Sequence, residues 1–268
     1  MDNNPIGVFD SGIGGLTVLK EMFRELPNEG TLYLGDTARV PYGIRSAETV
    51  MRYSFENTGF LVAKGIKLLV IACNTASAVS LDKLKEKISI PVIGVIEPGS
   101  KAALRTTKNK RIGVIGTEAT ISSGAYARVI KSMDNDITVS SLPCPLFVPL
   151  AEEGFTDDEI AFLVAERYLK DIKDKGIDTL VLGCTHYPLL KGIISQVMGD
   201  RIVLIDSAVE TVREIKETLI RYAIEGDGRR NPLRMFYVTD APERFVKVGE
   251  RFLGKQINHI EKIHVGGH

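Results

Sequence analysis

The chain has 268 residues, 44% hydrophobic and 25% charged, with 34 basic side chains balanced by 34 acidic ones. That length suits two domains with full cores, and the zero net charge argues against nucleic acid or a membrane surface as the main partner. The start MDNNPIGVFD has no signal-peptide pattern, the longest apolar runs (LLVIAC at 68–73) are too short to span a bilayer, and three cysteines without CxxC spacing point to free thiols in a reducing, cytoplasmic setting.

In chain order, apolar runs predict strands near 5–10, 31–35, 67–72, 91–95, 111–115, 137–141, 179–183, 202–205 and 234–238. Amphipathic patterns between them predict helices, including those near 46–65, 157–174 and 208–224. Such alternation predicts an α/β chain of parallel sheets with helices on both faces. Ligands in such sheets bind beyond the carboxyl ends of the strands, where Asp10, Cys73 and Cys184 fall.

The chain also repeats. KGIKLLVIACNTAS at 64–77 matches KGIDTLVLGCTHYP at 175–188, so that Cys73 and Cys184 share a register 111 residues apart. IGVFDSG at 6–12 matches IGVIGTE at 112–118, and PVIGV at 91–95 matches IVLID at 202–206. Shared strand composition explains the apolar matches but not two cysteines in register. The expectation is two pseudo-symmetric, doubly wound, flavodoxin-like domains with the active site in the cleft between them. Their expected extents are 1–97 plus 208–268, with the unrepeated C-terminal segment returning to the first domain, and 98–207. The polar stretch TTKNK at 106–110 is the best linker candidate.

Four segments carry chemistry. In FDSGIGGLTVL at 9–19, a carboxylate (Asp10) and a hydroxyl (Ser11) precede a glycine-rich turn into a helix. The glycines lack the GxGxxG fingerprint and read first as a strand-to-helix turn; Asp10 needs a partner or a task. Cys73 is followed by Asn74 and Thr75, and Cys184 by Thr185 and His186. A thiol at a helix N-terminus feels the positive end of the dipole, and neighbouring amide and hydroxyl donors suit a carboxylate. A lone cysteine at a strand end is usually a small buried hydrophobe; two in register, each beside polar donors, make an acid/base pair the better reading. In YLGDTARVPYG at 33–43, Pro41, Tyr42 and Gly43 offer a pocket wall with a hydroxyl and backbone donors. Cys144, between prolines, reads as structural, and His259, His264 and His268 lie in the tail. No grouping of histidines and cysteines has metal-site spacing, so no metal is expected.

DSGIGGLTVL, GDTARVPYG, ACNTASA and GCTHYPLL, in this order, resemble the motif set of the cofactor-independent aspartate/glutamate racemase family, on its glutamate-specific side. CPLFVPLAEEG at 144–154 and IDSA at 205–208 extend the resemblance over nearly the whole chain. It implies interconversion of L- and D-glutamate without any cofactor, supplying D-glutamate for peptidoglycan. It implies that Cys73 abstracts the α-proton of D-glutamate while Cys184 returns one from the opposite face, the roles swapping for L-glutamate. It further implies substrate contacts at Asp10, Ser11, Tyr42, Gly43, Asn74, Thr75, Thr185 and His186. Asp10 and His186 are expected to assist the neighbouring thiols, as is Glu152 near Cys184. Thr117, counterpart of the Asp10–Ser11 corner in the repeat, is a further candidate contact. The expected partners are glutamate and a second copy of the chain. Three alternatives stay open: a racemase of the same family acting on aspartate or another acidic amino acid, a hydrolase using Cys184 and His186, and a ligand-binding regulator without turnover.

Overall fold

The computed structural model describes residues 1–228 and 232–266. Arg229, Arg230, Asn231, Gly267 and His268 lie outside the described residues, and so do those parts of the 208–268 segment. The described strands are β1 (Ile6–Asp10), β2 (Thr31–Gly35), β3 (Leu68–Ile71), β4 (Val92–Gly94), β5 (Arg111–Gly116), β6 (Thr138–Pro143), β7 (Thr179–Gly183), β8 (Val203–Asp206), β9 (Arg234–Val238) and β10 (Ile260–Lys262). They form a six-stranded sheet in the order β10-β9-β2-β1-β3-β4 and a four-stranded sheet in the order β6-β5-β7-β8, with every strand pair parallel.

The repeat is now visible as topology. Strands β1 to β4 run in the order β2-β1-β3-β4, and β5 to β8 run in the corresponding order β6-β5-β7-β8. The nine anticipated strands are all present. The tenth, β10, was missed because Ile260–Lys262 is three residues long and mostly solvated, too short for an apolar alternation. β1, β2, β3 and β7 are buried along their whole length, as expected for parallel strands covered by helices on both faces.

Helices build those covers from one-sided apolar stripes. In the helix Ser207–Tyr222, Ala208, Val212, Ile215 and Leu219 recur at three- and four-residue steps and join the core beside β1 and β3. The Asp206 carboxylate caps that helix by accepting from Ala208 N at 2.9 Å. The helix Pro242–Leu253 adds Phe245, Val248, Phe252 and Leu253 to the same core, so the C-terminal segment packs on the first sheet. The helix Ile96–Thr106 instead contributes Ile96, Ala102 and Ala103 to a core shared with Ile112, Val114 and Val181 of the second sheet. The chain therefore crosses between sheets just after β4 and again just after β8. TTKNK ends that helix at Thr106 and turns into β5, on the second-sheet side of the crossing.

Candidate active site

The carboxyl ends of β1, β3, β5 and β7 converge on one cavity of about 140 Å³. Of the residues singled out in the sequence, Ser11, Pro41, Tyr42, Gly43, Cys73, Asn74, Thr75, Thr117, Cys184, Thr185 and His186 line it. Asp10 and Glu152 stand behind this lining. Each makes contact through a residue that does line the cavity.

The first corner is built by the glycine turn. Asp10 is fully buried, and its carboxylate accepts from Gly12 N at 3.0 Å and from the Thr185 hydroxyl at 3.5 Å. Burial pushes its pKa up, although the charge of His186 and the N–H groups of Gly12, Gly15 and Ser11 oppose this. The glycines have a reason beyond turning the chain. A Cβ on Gly14 would lie 2.2 Å from Thr185 Oγ1 and 2.5 Å from His186 Nδ1, and one on Gly15 would lie 2.6 Å from Asp10 Cβ. The turn is stripped of side chains because the opposite half of the site occupies that space.

Cys73 caps the helix Asn74–Lys87, its Sγ accepting from Ala76 N at 3.5 Å. It is almost fully buried. Burial and the charge of Asp10 push its thiol up to about 12, against the opposing pull of Ala76 N–H and the Ser11 hydroxyl. Cys73 is therefore a protonated thiol at neutral pH.

Cys184 ends β7 in a different local setting. It is followed not by an α-helix but by a turn and a 3-10 segment, Tyr187–Leu190. The expected helix-terminal placement therefore holds for Cys73 only. A side chain takes the place of the dipole: His186 Nδ1 lies 3.8 Å from Cys184 Sγ, and His186 Nε2 lies 3.2 Å from Glu152 Oε1. Burial alone would lower the His186 pKa, but Cys184 and Glu152 outweigh it and hold the imidazole up to about 10. Glu152 is itself disfavoured as an anion by burial, yet His186 and Arg244 bring its pKa below the ordinary value. The Cys184 side thus carries a charged imidazolium, and the Cys73 side a buried carboxylate.

The walls explain the remaining polar residues. Thr75, Thr117 and Thr120 form a ring of hydroxyl contacts of 2.9–3.1 Å that joins the two halves. Tyr42 differs from expectation: its ring lines the cavity, but its hydroxyl is turned away onto Asp36 and accepts from Asn57 at 3.1 Å. Its contribution to the cavity is therefore backbone and ring. Gly43 sits so close to Thr117 that a Cβ there would lie 2.7 Å from Thr117 Cβ. Cys144 lies outside the lining, packed in a core with Phe147 and Tyr187. Among the described residues no group of side chains could hold a metal ion, and no helix is long and apolar enough to cross a membrane.

Sequence reasoning missed Val40, Ile44, Glu118, Pro145, Val148 and Pro149, which complete the lining. Val40, Pro145, Val148 and Pro149 lay inside quoted motifs. Glu118 follows Thr117 and was within reach of the repeat argument. Tyr126, Arg244 and Arg251, which contact site residues from outside, gave no local signal.

Known proteins resemble this chain in sequence and in fold. The pattern of the Asp/Glu/Hydantoin racemase family matches residues 6–215. The chain is similar to the glutamate racemase of Geobacter metallireducens, at 53% identity over 258 residues covering 96% of each chain. Its structure is similar to that of glutamate racemase isoform RacE1 from Bacillus anthracis, with a TM-score of 0.95, 42% identity and 98% of each chain covered. It is also similar to the glutamate racemase of Francisella tularensis solved in complex with D-glutamate, with a TM-score of 0.93, 42% identity and 98% of each chain covered. On this footing the chain belongs to the Asp/Glu/Hydantoin racemase family.

Proposed function

We propose that this protein interconverts L- and D-glutamate by a cofactor-independent two-base mechanism, and that it supplies D-glutamate for peptidoglycan synthesis. The observation that carries the reading is the pair of thiols, Cys73 and Cys184, at equivalent strand ends of two sheets and facing one cavity. A planar carbanion held between them accepts a proton from either side.

In the L-to-D direction, Cys184 takes the α-proton as a thiolate and the resulting carbanion takes a proton from the Cys73 thiol. One C–H bond breaks, one forms, and the proton deficit passes from Cys184 to Cys73. The protonated resting state of Cys73 suits this direction. For D-glutamate Cys73 must first give up its proton; a substrate ammonium entering beside Asp10 supplies the positive charge that favours this. His186 offers a proton at Cys184 Sγ and Glu152 keeps the imidazole charged. An α-proton is far less acidic than a thiol, so donors around the α-carboxylate must stabilise the developing charge in a site closed to water. Ser11, Asn74, Thr75, Thr117, Thr185 and the backbone near Tyr42 and Gly43 are the proposed donors.

The two sheets are proposed as two domains, 1–97 with 208–268 and 98–207, that close on the substrate. Three buried free cysteines support a reducing cytoplasmic location. Exposed Ile160 and Leu163 on one helix of the second half support assembly as a homodimer. Circular dichroism of each amino-acid enantiomer tests the substrate. We expect loss of signal with L- and D-glutamate and a rate at least a hundredfold lower with aspartate. Equal rates with aspartate would overturn the assignment of substrate.

A further inference from the structure

The side chain of Asn74 is held from outside the cavity. Asn74 opens the helix that follows Cys73, is nearly fully buried and lines the cavity. Its Oδ1 accepts from the Tyr126 hydroxyl at 2.7 Å, whereas its Nδ2 is buried with no hydrogen-bond partner among the described residues. A buried amide with one end satisfied and the other unpaired is costly unless a ligand completes it.

Tyr126 is itself constrained. It is buried in the helix Ala125–Met133 of the second half, and burial raises its pKa and keeps the phenol protonated. The Tyr126 hydroxyl donates to Asn74 Oδ1. The amide oxygen is taken in this way, and the NH₂ is the end left for a partner.

We infer that Tyr126 is a positioning residue for substrate recognition: it locks the Asn74 amide so that its NH₂ donates to the α-carboxylate of glutamate. A carboxylate accepts and never donates when ionised, so an amide free to flip would present its oxygen to the substrate part of the time. The bond also spans the two halves, from the Cys73 strand end to the helix Ala125–Met133. The inference rests on the proposed glutamate reaction and concerns how its substrate is held.

The test is a kinetic double-mutant cycle on the full chain with both enantiomers of glutamate. Wild-type turnover comes first, because its absence would sink the proposed reaction rather than the role of Tyr126. With turnover present, Tyr126→Phe, which keeps the ring and removes the hydroxyl, is expected to raise KM about tenfold, with kcat changed less than threefold. In an Asn74→Ala background the same change is expected to leave KM within twofold, because Tyr126 acts only through that amide. A Tyr126→Phe protein with wild-type KM, or an undiminished effect without Asn74, overturns the inference. A second reading does not depend on the Tyr126→Phe variant folding. The side-chain amide signals of Asn74 in ¹⁵N-labelled wild type, identified by their loss in Asn74→Ala, are expected to shift on addition of D-glutamate, and unmoved signals would likewise overturn it.

Discussion

Gly14 shows how a residue without a side chain takes part in the site. The space its Cβ would fill holds Thr185 Oγ1 and the His186 ring, so Gly14→Ala must displace groups from the other half of the molecule. We expect this variant to fold with a small loss of stability and to lose at least tenfold in kcat/KM, read by the circular dichroism assay; an unchanged rate would show that Thr185 and His186 can shift freely. His186 carries a pH signature. Its pKa in the folded protein, about 10, lies above the unfolded value near 6.5, so its stabilising contribution is fully present below pH 6.5 and is lost as pH rises through 10. The stability gap between wild type and His186→Asn, measured by urea unfolding, should therefore shrink from pH 6 to pH 10, by on the order of 2–4 kcal/mol. A gap that widens over this range would mean that the imidazole is neutral in the folded state. The two thiols were legible in the sequence because the repeat put them in register. The unequal settings of Cys73 and Cys184 were not, because they come from the 3-10 segment after Cys184 and from Glu152, a residue 32 positions before Cys184.

Among the elements, the helix Pro242–Leu253 has a reach that local sequence could not reveal. It packs on the first sheet through Phe245 and Phe252, and it also touches His186 and Glu152 of the second half. The Phe252 ring meets His186 edge-on at 5.3 Å, Arg244 lies 3.4 Å from Glu152 Oε2, and Arg251 donates to the carbonyls of Glu152 and Glu153 at 2.7 and 3.2 Å. Those carbonyls end the short helix Phe147–Glu153, which Gly154 closes in the left-handed conformation with φ 86°. Arg251→Met keeps much of the aliphatic stem and removes these bonds. It should cost about 1–3 kcal/mol of stability and lower kcat severalfold; normal kcat with lowered stability would confine Arg251 to a structural role. The strands and the helices of regular apolar period were readable because burial writes itself into spacing. This clamp was not, because its members lie about a hundred residues apart and each alone looks like a solvated arginine.

For the molecule as a whole, duplication explains both the fold and its chemistry. Two sheets with the same internal strand order present equivalent strand ends to each other, and the mirror-like demand of a racemisation is met by two similar halves. The halves are not identical, and thermodynamics limits where that shows. The two enantiomers of glutamate have equal free energy in achiral water, so kcat/KM must be the same in both directions at every pH. The contrast between a protonated Cys73 and a Cys184 paired with His186 can appear only in kcat and KM taken separately. The most direct test of the two-base reading follows the α-proton itself. Wild type, Cys73→Ala and Cys184→Ala are given L- or D-glutamate in deuterated buffer without added cofactor, and the α-proton signal is followed by NMR. The wild type should exchange the α-proton and invert either enantiomer, and each variant should lose inversion by a factor of about a thousand or more. Full inversion by either alanine variant would contradict the pairing of Cys73 with Cys184 as the two bases.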